Sequence, residues 1–261
     1  MGFTLQVYRD LNHRLGYYDS ITELNEIAVR ELIKKVETSP NPQKSIKDLT
    51  EIHGIQVNFP NVPSALSTIM GKSYIITVYQ SADLFLRDFR HEYCKIAGKG
   101  WEYNEGSKLP QVFENIAPRF KYQDEIEFNI FEYYRLVRNN IVHPHSKKDL
   151  GDMHQAILEK KEEIMVKYKV TNAPNAIDSI NFEDFILFTK VTKEIGRILC
   201  VLSKPSSKDL IKTLDLKSFR KLRNNRSRLE KSISSELRTR YSLNEEEVKE
   251  ILGDVDLMEI I

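Results

Sequence analysis

Cysteine and long apolar runs are both scarce in this sequence of 261 residues. The two cysteines, Cys94 and Cys200, are too few for a disulfide framework or a Cys-x-x-Cys metal site, so we expect small buried side chains in a reducing cytosol. No apolar run approaches the roughly 18 residues that a membrane span requires. The N-terminal stretch MGFTLQVYRDLNHRL lacks the apolar centre of a signal peptide. We therefore expect a cytoplasmic protein that spans no membrane.

An excess of either charge is also missing. The chain has 39 Lys and Arg against 38 Asp and Glu, a net charge of +1, so any basic surface is a local patch. The sequence contains no glycine-rich phosphate loop, no Gly-x-Ser-x-Gly elbow and no His-Glu-x-x-His motif. Nothing in it predicts a bound cofactor.

Helical periodicity is what the sequence does contain. A Ser-x-x-Glu capping pattern at residues 20–23 predicts a helix that Pro40 ends. A second, longer helical pattern begins at Pro63, and Asn181 with Asp184 predicts the start of a third that runs to Pro205. Apolar residues at alternating spacings of three and four draw one stripe along the second pattern: Tyr79, Ala82, Leu86, Phe89, Tyr93 and Ile96.

Shorter segments carry weaker patterns. Residues 54–59 alternate in polarity, which fits a short strand or a plain connection, and residues 151–168 fit a charged helix. Trp101 is the only tryptophan and is interpreted as a core anchor, whereas Gly71 is interpreted as a point of close helix packing. Residues 242–245 (Ser-Leu-Asn-Glu) predict the cap of a last short helix.

Together these patterns predict an all-α protein: a helical bundle over residues 62–204, an N-terminal helical extension over 1–61 and a charged helical tail over 205–261. Residues 204–240 hold 12 basic and four acidic side chains, and residues 241–261 hold seven acidic side chains and one lysine. Such a tail could bind nucleic acid, or its two halves could fold against each other.

Residues 126–143 form the pattern that bears most on function. At about 100° per residue, one arc of this helix is apolar and is predicted to be buried: Ile126, Ile130, Tyr133, Tyr134, Val137 and Ile141. The opposite arc carries Glu132, Arg135, Asn139 and His143 at steps of three and four residues, with Arg138 at its margin. Polar residues opposite an apolar arc also occur on any surface helix, so this pattern alone does not establish a site.

The end of this helix suggests a chemistry. His143 precedes Pro144, which disfavours helical backbone at residue 143 and places the imidazole at the helix end, where the dipole favours imidazolium. Arginine binds phosphate oxygens in a fork, histidine exchanges protons near neutral pH, and asparagine can hold a ribose, a phosphate or the imidazole. This combination suits phosphoryl transfer within RNA, where the 2′-hydroxyl attacks its own phosphate and no metal is required.

Arg138-Asn139-Asn140-Ile141-Val142-His143 resembles the Arg-Asn-x-x-x-His motif of the HEPN superfamily, the higher eukaryotes and prokaryotes nucleotide-binding domains. The resemblance covers about residues 62–204 and implies a four- to five-helix bundle. It implies a metal-independent endoribonuclease of a toxin or abortive-infection (phage defence) type, whose two protomers form one composite RNA site as a homodimer. Arg138 would stabilise charge on the phosphate, His143 would be the general acid or base, and Asn139 would orient the catalytic groups.

The resemblance leaves several points open. Glu132 and Arg135 lie outside the core motif and are candidates for supporting the site or binding RNA. A toxin subgroup of the family carries a tyrosine two residues after the histidine, modified by a partner antitoxin; this chain has His145 there, which puts that form of neutralisation by a protein partner in doubt. His143 and His145 without a further cluster make a poor metal site. The alternatives are a non-catalytic HEPN-fold module that binds a nucleotide, RNA or a protein, and a helical scaffold whose tail recruits a partner.

Overall fold

The computed structural model describes residues 2–57, 62–143 and 148–260, which are all-helical with no strand among them. Helix accounts for 76% of the structure, which confirms the predicted all-α class. The helices are α1 (Gln6–Glu37), α2 (Pro42–His53), α3 (Val62–Ala97), α4 (Lys108–Ile116), α5 (Ile126–Val142), α6 (Gly151–Leu158), α7 (Lys161–Tyr168), α8 (Phe182–Leu202), α9 (Ser207–Lys212), α10 (Leu216–Phe219), α11 (Arg226–Tyr241), α12 (Glu245–Gly253) and α13 (Leu257–Ile260). Across the described ranges, no helix is long and apolar enough to cross a membrane.

The chain divides into two compact units. The first combines Met1–His13, Ala82–Tyr122 and Lys193–Ile261, and the second combines Arg14–Ser81 and Gln123–Thr192. Helices α1, α3 and α8 each contribute residues to both units. The segments 1–61, 62–204 and 205–261 are a division by sequence pattern, and that division stays a prediction.

In the second unit, α5 packs through aromatic rings against α3 and α8. The Phe131 ring lies 6.2 Å from the Tyr79 ring and 5.7 Å from the Phe188 ring, and Phe188 also lies 4.8 Å from Tyr134. A Cβ added at Gly71 would lie 2.6 Å from the Cα of Asn181, so the interpretation of Gly71 as a point of close packing is confirmed.

In the first unit, the chain termini share one core. The Phe3 ring stacks on Tyr241 at 5.4 Å, and the Thr4 N–H donates to the Tyr241 carbonyl at 2.9 Å. Helix α11 buries an apolar row at helical spacing: Leu229, Ile233, Leu237 and Tyr241. The basic part of the tail therefore packs into this unit through its apolar side chains. Its charged side chains stay at the surface, where Arg226 pairs with Glu230 of the same helix, so both interpretations of the tail charge remain open.

Other core predictions hold as well. Ala82, Leu86 and Phe89 of the predicted α3 stripe are buried. Trp101 is half-buried and makes edge contacts with Tyr93 and Tyr103, in keeping with an anchoring role. Cys200 is fully buried, which raises its pKa to about 12, whereas Cys94 is only half-buried.

Several predicted helix ends are wrong. Residues 20–23 lie inside α1, which begins 14 residues before Ser20 at Gln6, so they cap nothing. Ser242 is the left-handed C-cap of α11, and the capping box of α12 is formed by Asn244 and Glu247 instead. Residues 151–168 form two helices rather than one, and residues 54–57 form no strand; residues 58 and 59 lie outside the described ranges.

The predicted start of α8 is confirmed. The Glu183 N–H donates to the Asn181 side-chain oxygen at 2.9 Å, and the Asn181 N–H donates to the Asp184 carboxylate at 2.9 Å. These reciprocal bonds satisfy backbone donors that the first helical turn leaves open.

Candidate functional site

The motif residues lie in the last two turns of α5 and at its end. His143 is the C-cap residue, with φ −121° and ψ 71°, and its backbone N–H donates to the Asn139 carbonyl at 2.8 Å. The helix therefore ends where the following proline was predicted to end it, although Pro144 itself lies outside the described residues. The His143 side chain is exposed, as a group that exchanges protons with a substrate must be.

Arg138 carries a positive charge with no ion pair to a carboxylate within the described ranges. Its guanidinium carbon lies 5.3 Å from the Tyr79 ring centroid, and its Nη1 donates to the Asn139 side-chain oxygen at 3.1 Å. Its Nε is buried and has no hydrogen-bond partner among the described residues. An arginine held by a ring and an amide keeps its full charge and retains donors for an anion.

Glu132 and Arg135 form an ion pair with each other. The Arg135 Nε donates to the Glu132 carboxylate at 2.8 Å, and both side chains are largely buried. The predicted polar arc is therefore not a uniformly open face, because Glu132 lies inside. Since the pair is formally neutral, Arg135 contributes less positive charge toward a phosphate than Arg138 does.

Asn140 is a site residue that the motif left unspecified. Its side chain is buried, donates to the Lys148 carbonyl at 2.8 Å and accepts from the Lys148 N–H at 3.0 Å. These two bonds tie the end of α5 to the chain that leads into α6. No sequence signal identifies them, because the partner is backbone eight residues away beyond a proline.

Tyr133 and Tyr134 are fully buried, so core packing, the favoured interpretation, is confirmed over base stacking. The Tyr134 hydroxyl donates to Asp184 at 2.8 Å, and the Tyr133 hydroxyl donates to the Asn175 carbonyl at 2.6 Å. Burial raises the pKa of Tyr134 well above its ordinary value, and the nearby Asp184 carboxylate adds to this. Burial also raises the pKa of Asp184. Hydrogen bonds from Asn175, Asn181 and Tyr134 lower that pKa, but burial has the larger effect.

A cavity of about 540 Å³ borders the motif helix. Tyr133, Asn140 and Ile141 of α5 form one side of it. Its other walls carry charged and titratable side chains: Lys72, Lys148, Asp149, His154 and Asp178. Lys72 is 4.0 Å from Asp178, and the half-buried His154 ring stacks on Tyr133 at 5.4 Å. This cavity is large enough for a nucleotide, and its walls carry both positively and negatively charged side chains.

His154 has a defined proton position in this cavity. Its Nε2 lies 3.1 Å from the Pro174 carbonyl, which can only accept, so Nε2 carries a proton. The ring is thus held by stacking and by one hydrogen bond.

The described part of the chain contains no group of three or more His, Cys, Asp or Glu side chains that could hold a metal ion. His145, the second histidine of the sequence His-Pro-His, lies outside that part.

Comparison of the chain with family models, with curated proteins and with solved structures finds no match. The resemblance to the HEPN superfamily therefore rests on the motif and its helical setting, and it stays a prediction.

Proposed function

We propose that the chain is a metal-independent endoribonuclease of the HEPN type, acting in a toxin or phage-defence role. The observation that carries this proposal is the placement of Arg138, Asn139 and His143 at one helix end, with an arginine that no carboxylate of the described residues neutralises. Such a group attracts a phosphate, and the exposed imidazole of His143 at the same helix end can move a proton.

The proposed reaction is transphosphorylation within RNA. The ribose 2′-oxygen forms a bond to the adjacent phosphorus as its proton passes to a general base, and the bond to the 5′-oxygen of the next nucleotide breaks. The leaving oxygen takes a proton from a general acid, so the products are a 2′,3′-cyclic phosphate and a 5′-hydroxyl. Arg138 stabilises the added negative charge on the phosphate oxygens, and His143 is the acid or the base.

A second protomer completes the site in this proposal. The reaction needs a base and an acid at once, whereas the motif supplies one histidine per chain. Two motif helices facing each other across a two-fold axis bring two His143 side chains to one phosphate.

In this proposal the cavity on the Tyr133, Asn140 and Ile141 side of α5 receives part of the RNA, although Arg138, Asn139 and His143 are not among its lining residues. Lys72 and Lys148 can attract a phosphate, and the cavity volume admits a nucleotide. The same cavity favours the alternative function, a non-catalytic module of this fold that binds a nucleotide, RNA or a protein partner. The two functions differ in whether bound RNA is cut.

Cleavage of an end-labelled mixed RNA pool, with and without EDTA, tests the proposal. We expect cutting that survives EDTA and leaves 2′,3′-cyclic phosphate ends. His143→Ala and Arg138→Ala each lower the rate about 10²- to 10⁴-fold, the usual contribution of a general acid or base or of one charge-stabilising group.

The matched control is His53→Ala, because His53, like His143, is an exposed histidine at the C-terminal end of a helix. This variant keeps the native rate. Cleavage that persists in folded His143→Ala contradicts the proposal. RNA that the native chain binds without cutting favours the binding module.

A further inference from the structure

The first unit has two open grooves lined by basic side chains. One of them, the α11 groove, has a volume of about 630 Å³ and lies along α11. Its charged residues are Lys231 and Arg238, which are exposed and form no ion pair within the described ranges. Hydroxyl side chains line the rest of it: Ser234, Ser235, Thr239 and Ser242. No acidic side chain is among its described lining residues.

The charges of the α11 groove lie on the side of α11 that faces away from the core. On an ideal helix, Lys231, Ser235 and Arg238 fall within an arc of about 60°, opposite the buried apolar row of the same helix. The two acidic residues of α11, Glu230 and Glu236, lie outside this arc. The outer face of α11 therefore keeps its positive charge.

The second groove, the α3–α8 groove, lies where α3 and α8 end and has a volume of about 600 Å³. Four lysines line it: Lys95, Lys99, Lys204 and Lys212. Asp209 is the one acidic side chain among its described lining residues, and it pairs with Lys212 at 3.0 Å. Lys204 is 4.0 Å from Glu247, whereas the exposed Lys95 and Lys99 have no ion pair in the described part of the chain.

Helix dipoles account for only part of this charge. Lys95 and Lys212 lie in the last turns of α3 and α9, where the dipole favours a cation. Lys231 lies well inside α11, where the dipole has little effect. Four lysines against one aspartate around a single groove also leave a net positive charge that a bound anion would neutralise.

Two arginines connect the grooves. The Arg9 Nη1 donates to the hydroxyl of Ser242 in the α11 groove at 3.2 Å, and the Arg9 Nη2 donates to the Arg240 carbonyl at 2.8 Å. The Arg240 Nη1 donates in turn to the carbonyl of Thr213, which lines the α3–α8 groove, at 2.7 Å. The two grooves with Arg9 and Arg240 form one continuous surface, here called the basic band.

The form of the basic band favours a chain of phosphates. One small anion would occupy one groove, whereas the arginines continue the positive charge from one groove to the other. A membrane surface is a poorer partner, because binding to it usually adds exposed apolar side chains, and none of the large hydrophobic side chains in residues 202–257 is exposed. The hydroxyl side chains of the α11 groove can bond a ribose 2′-hydroxyl, the group that distinguishes RNA from DNA.

We propose that the basic band binds the sugar–phosphate backbone of RNA without regard to base sequence. The choice of RNA rests on the proposed nuclease function as well as on the hydroxyl side chains, and in that function the band holds the substrate. Binding itself requires none of the motif residues of α5, so binding and cleavage are tested separately.

Fluorescence anisotropy of a labelled oligouridine of about 20 nucleotides, longer than a typical single-strand site, measures the binding. The full chain carries His143→Ala, which keeps the RNA intact under the proposed function. At about 0.1 M salt, Lys231→Gln with Arg238→Gln raises the Kd about 10- to 30-fold, because two phosphate contacts are lost. Lys95→Gln with Lys99→Gln has an effect of the same size. In each double variant the slope of log Kd against log salt concentration falls by about 1.4, or about 0.7 for each contact.

The matched control is Lys34→Gln with Lys35→Gln. These two exposed lysines of α1 lie outside the basic band and have no ion pair among the described residues, so the variant removes the same charge. It leaves the Kd and the salt slope unchanged. Thermal unfolding midpoints show that each variant is folded, and if one double variant of the band is not, the other carries the test.

Four outcomes overturn the proposal. They are an equal rise in Kd for the control pair, an effect confined to one groove, an oligodeoxyuridine bound as tightly as the RNA, and tighter binding to phosphatidylserine vesicles than to the RNA. The nuclease proposal fails independently of these outcomes. RNA bound through the band but never cut by the native chain contradicts the nuclease alone, and cutting by a chain whose band variants keep the native Kd contradicts the band alone.

Discussion

Helices α1 and α5 both contribute apolar and polar side chains to the second unit, but only α1 leaves several large apolar side chains exposed. In α5 the apolar arc is buried by α3 and α8, and the polar arc is partly buried too, with Glu132 held by Arg135. In α1 Leu24 and Ile27 are exposed, while Thr22 and Glu26 are buried together with Leu15 and Val36. Periodicity thus predicts a helix, but which side of it is covered depends on where the neighbouring helices lie.

Truncating one apolar side chain on each helix gives the largest contrast. Phe131→Ala removes a ring packed against Tyr79 and Phe188 and lowers the free energy of unfolding by about 3–5 kcal/mol. Leu24→Ala changes it by less than about 0.5 kcal/mol when the chain is monomeric, because the side chain is already in water. Urea denaturation at low protein concentration measures both. Equal losses would contradict the account of α1.

Two glycines sharpen the difference between a covered and an open helix surface. Gly71→Ala destabilises by about 1–3 kcal/mol, since the new Cβ meets the backbone of Asn181. Gly16→Ala in α1 meets nothing within 4 Å and stabilises by about 0.5–1 kcal/mol through helix propensity. Thermal unfolding midpoints that fall for Gly71→Ala and rise for Gly16→Ala support the contrast. A fall at both positions would show that α1 is tightly packed.

Helix α1 buries Glu26, whereas α5 buries Glu127 and Glu132, and Glu127 is better compensated than Glu26. Burial alone raises the pKa of Glu127, but hydrogen bonds from Lys167 and Tyr168 outweigh it and lower the pKa below its ordinary value. Its contribution is therefore present above the ordinary glutamate pKa and is lost as the pH falls through the lower folded pKa. Glu127→Gln costs about 1–3 kcal/mol at pH 7, and the difference from the native chain shrinks in acid.

Urea midpoints at several pH values measure that difference. Glu125→Gln is the control for the loss of one carboxylate near the start of the same helix, because Glu125 has no ion pair among the described residues. A constant gap between the native chain and Glu127→Gln down to strongly acidic pH would rule out the lowered pKa.

The smallest expected effect is a difference between substitutions of two neighbouring asparagines at the end of α5. Asn140→Ala costs about 1 kcal/mol and speeds amide exchange at Lys148, because two hydrogen bonds to that residue are lost. Asn139→Ala leaves the Lys148 amide protected, and under the proposed function it slows RNA cleavage. Exchange measured at Lys148 in both variants tests this division, and equal protection in the two variants would refute it.

Much of the candidate site was accessible from the sequence. The spacing of Arg138, Asn139 and His143, with a proline after the histidine, predicted a helix that ends there, and α5 ends at Val142. The burial of Glu132 and the role of Asn140 were not predictable, because both depend on segments that lie elsewhere in the sequence. The predicted helix start at residues 20–23 failed for a related reason: a Ser-x-x-Glu pattern caps only where the chain has no helix before it, and these residues follow a full helical stretch.

Sequence by itself determined that this protein is helical, where α3, α5 and α8 run, and which residues of α5 point to its core, since these follow from local propensity and from a repeat of 3.6 residues. Tertiary structure alone decided that the two ends of the chain share a core, that Leu24 and Ile27 of α1 face outward, and that Arg138 lies over Tyr79 with no carboxylate partner among the described residues. Those features arise where segments distant in the chain meet. A local sequence pattern does not determine which distant segments will meet.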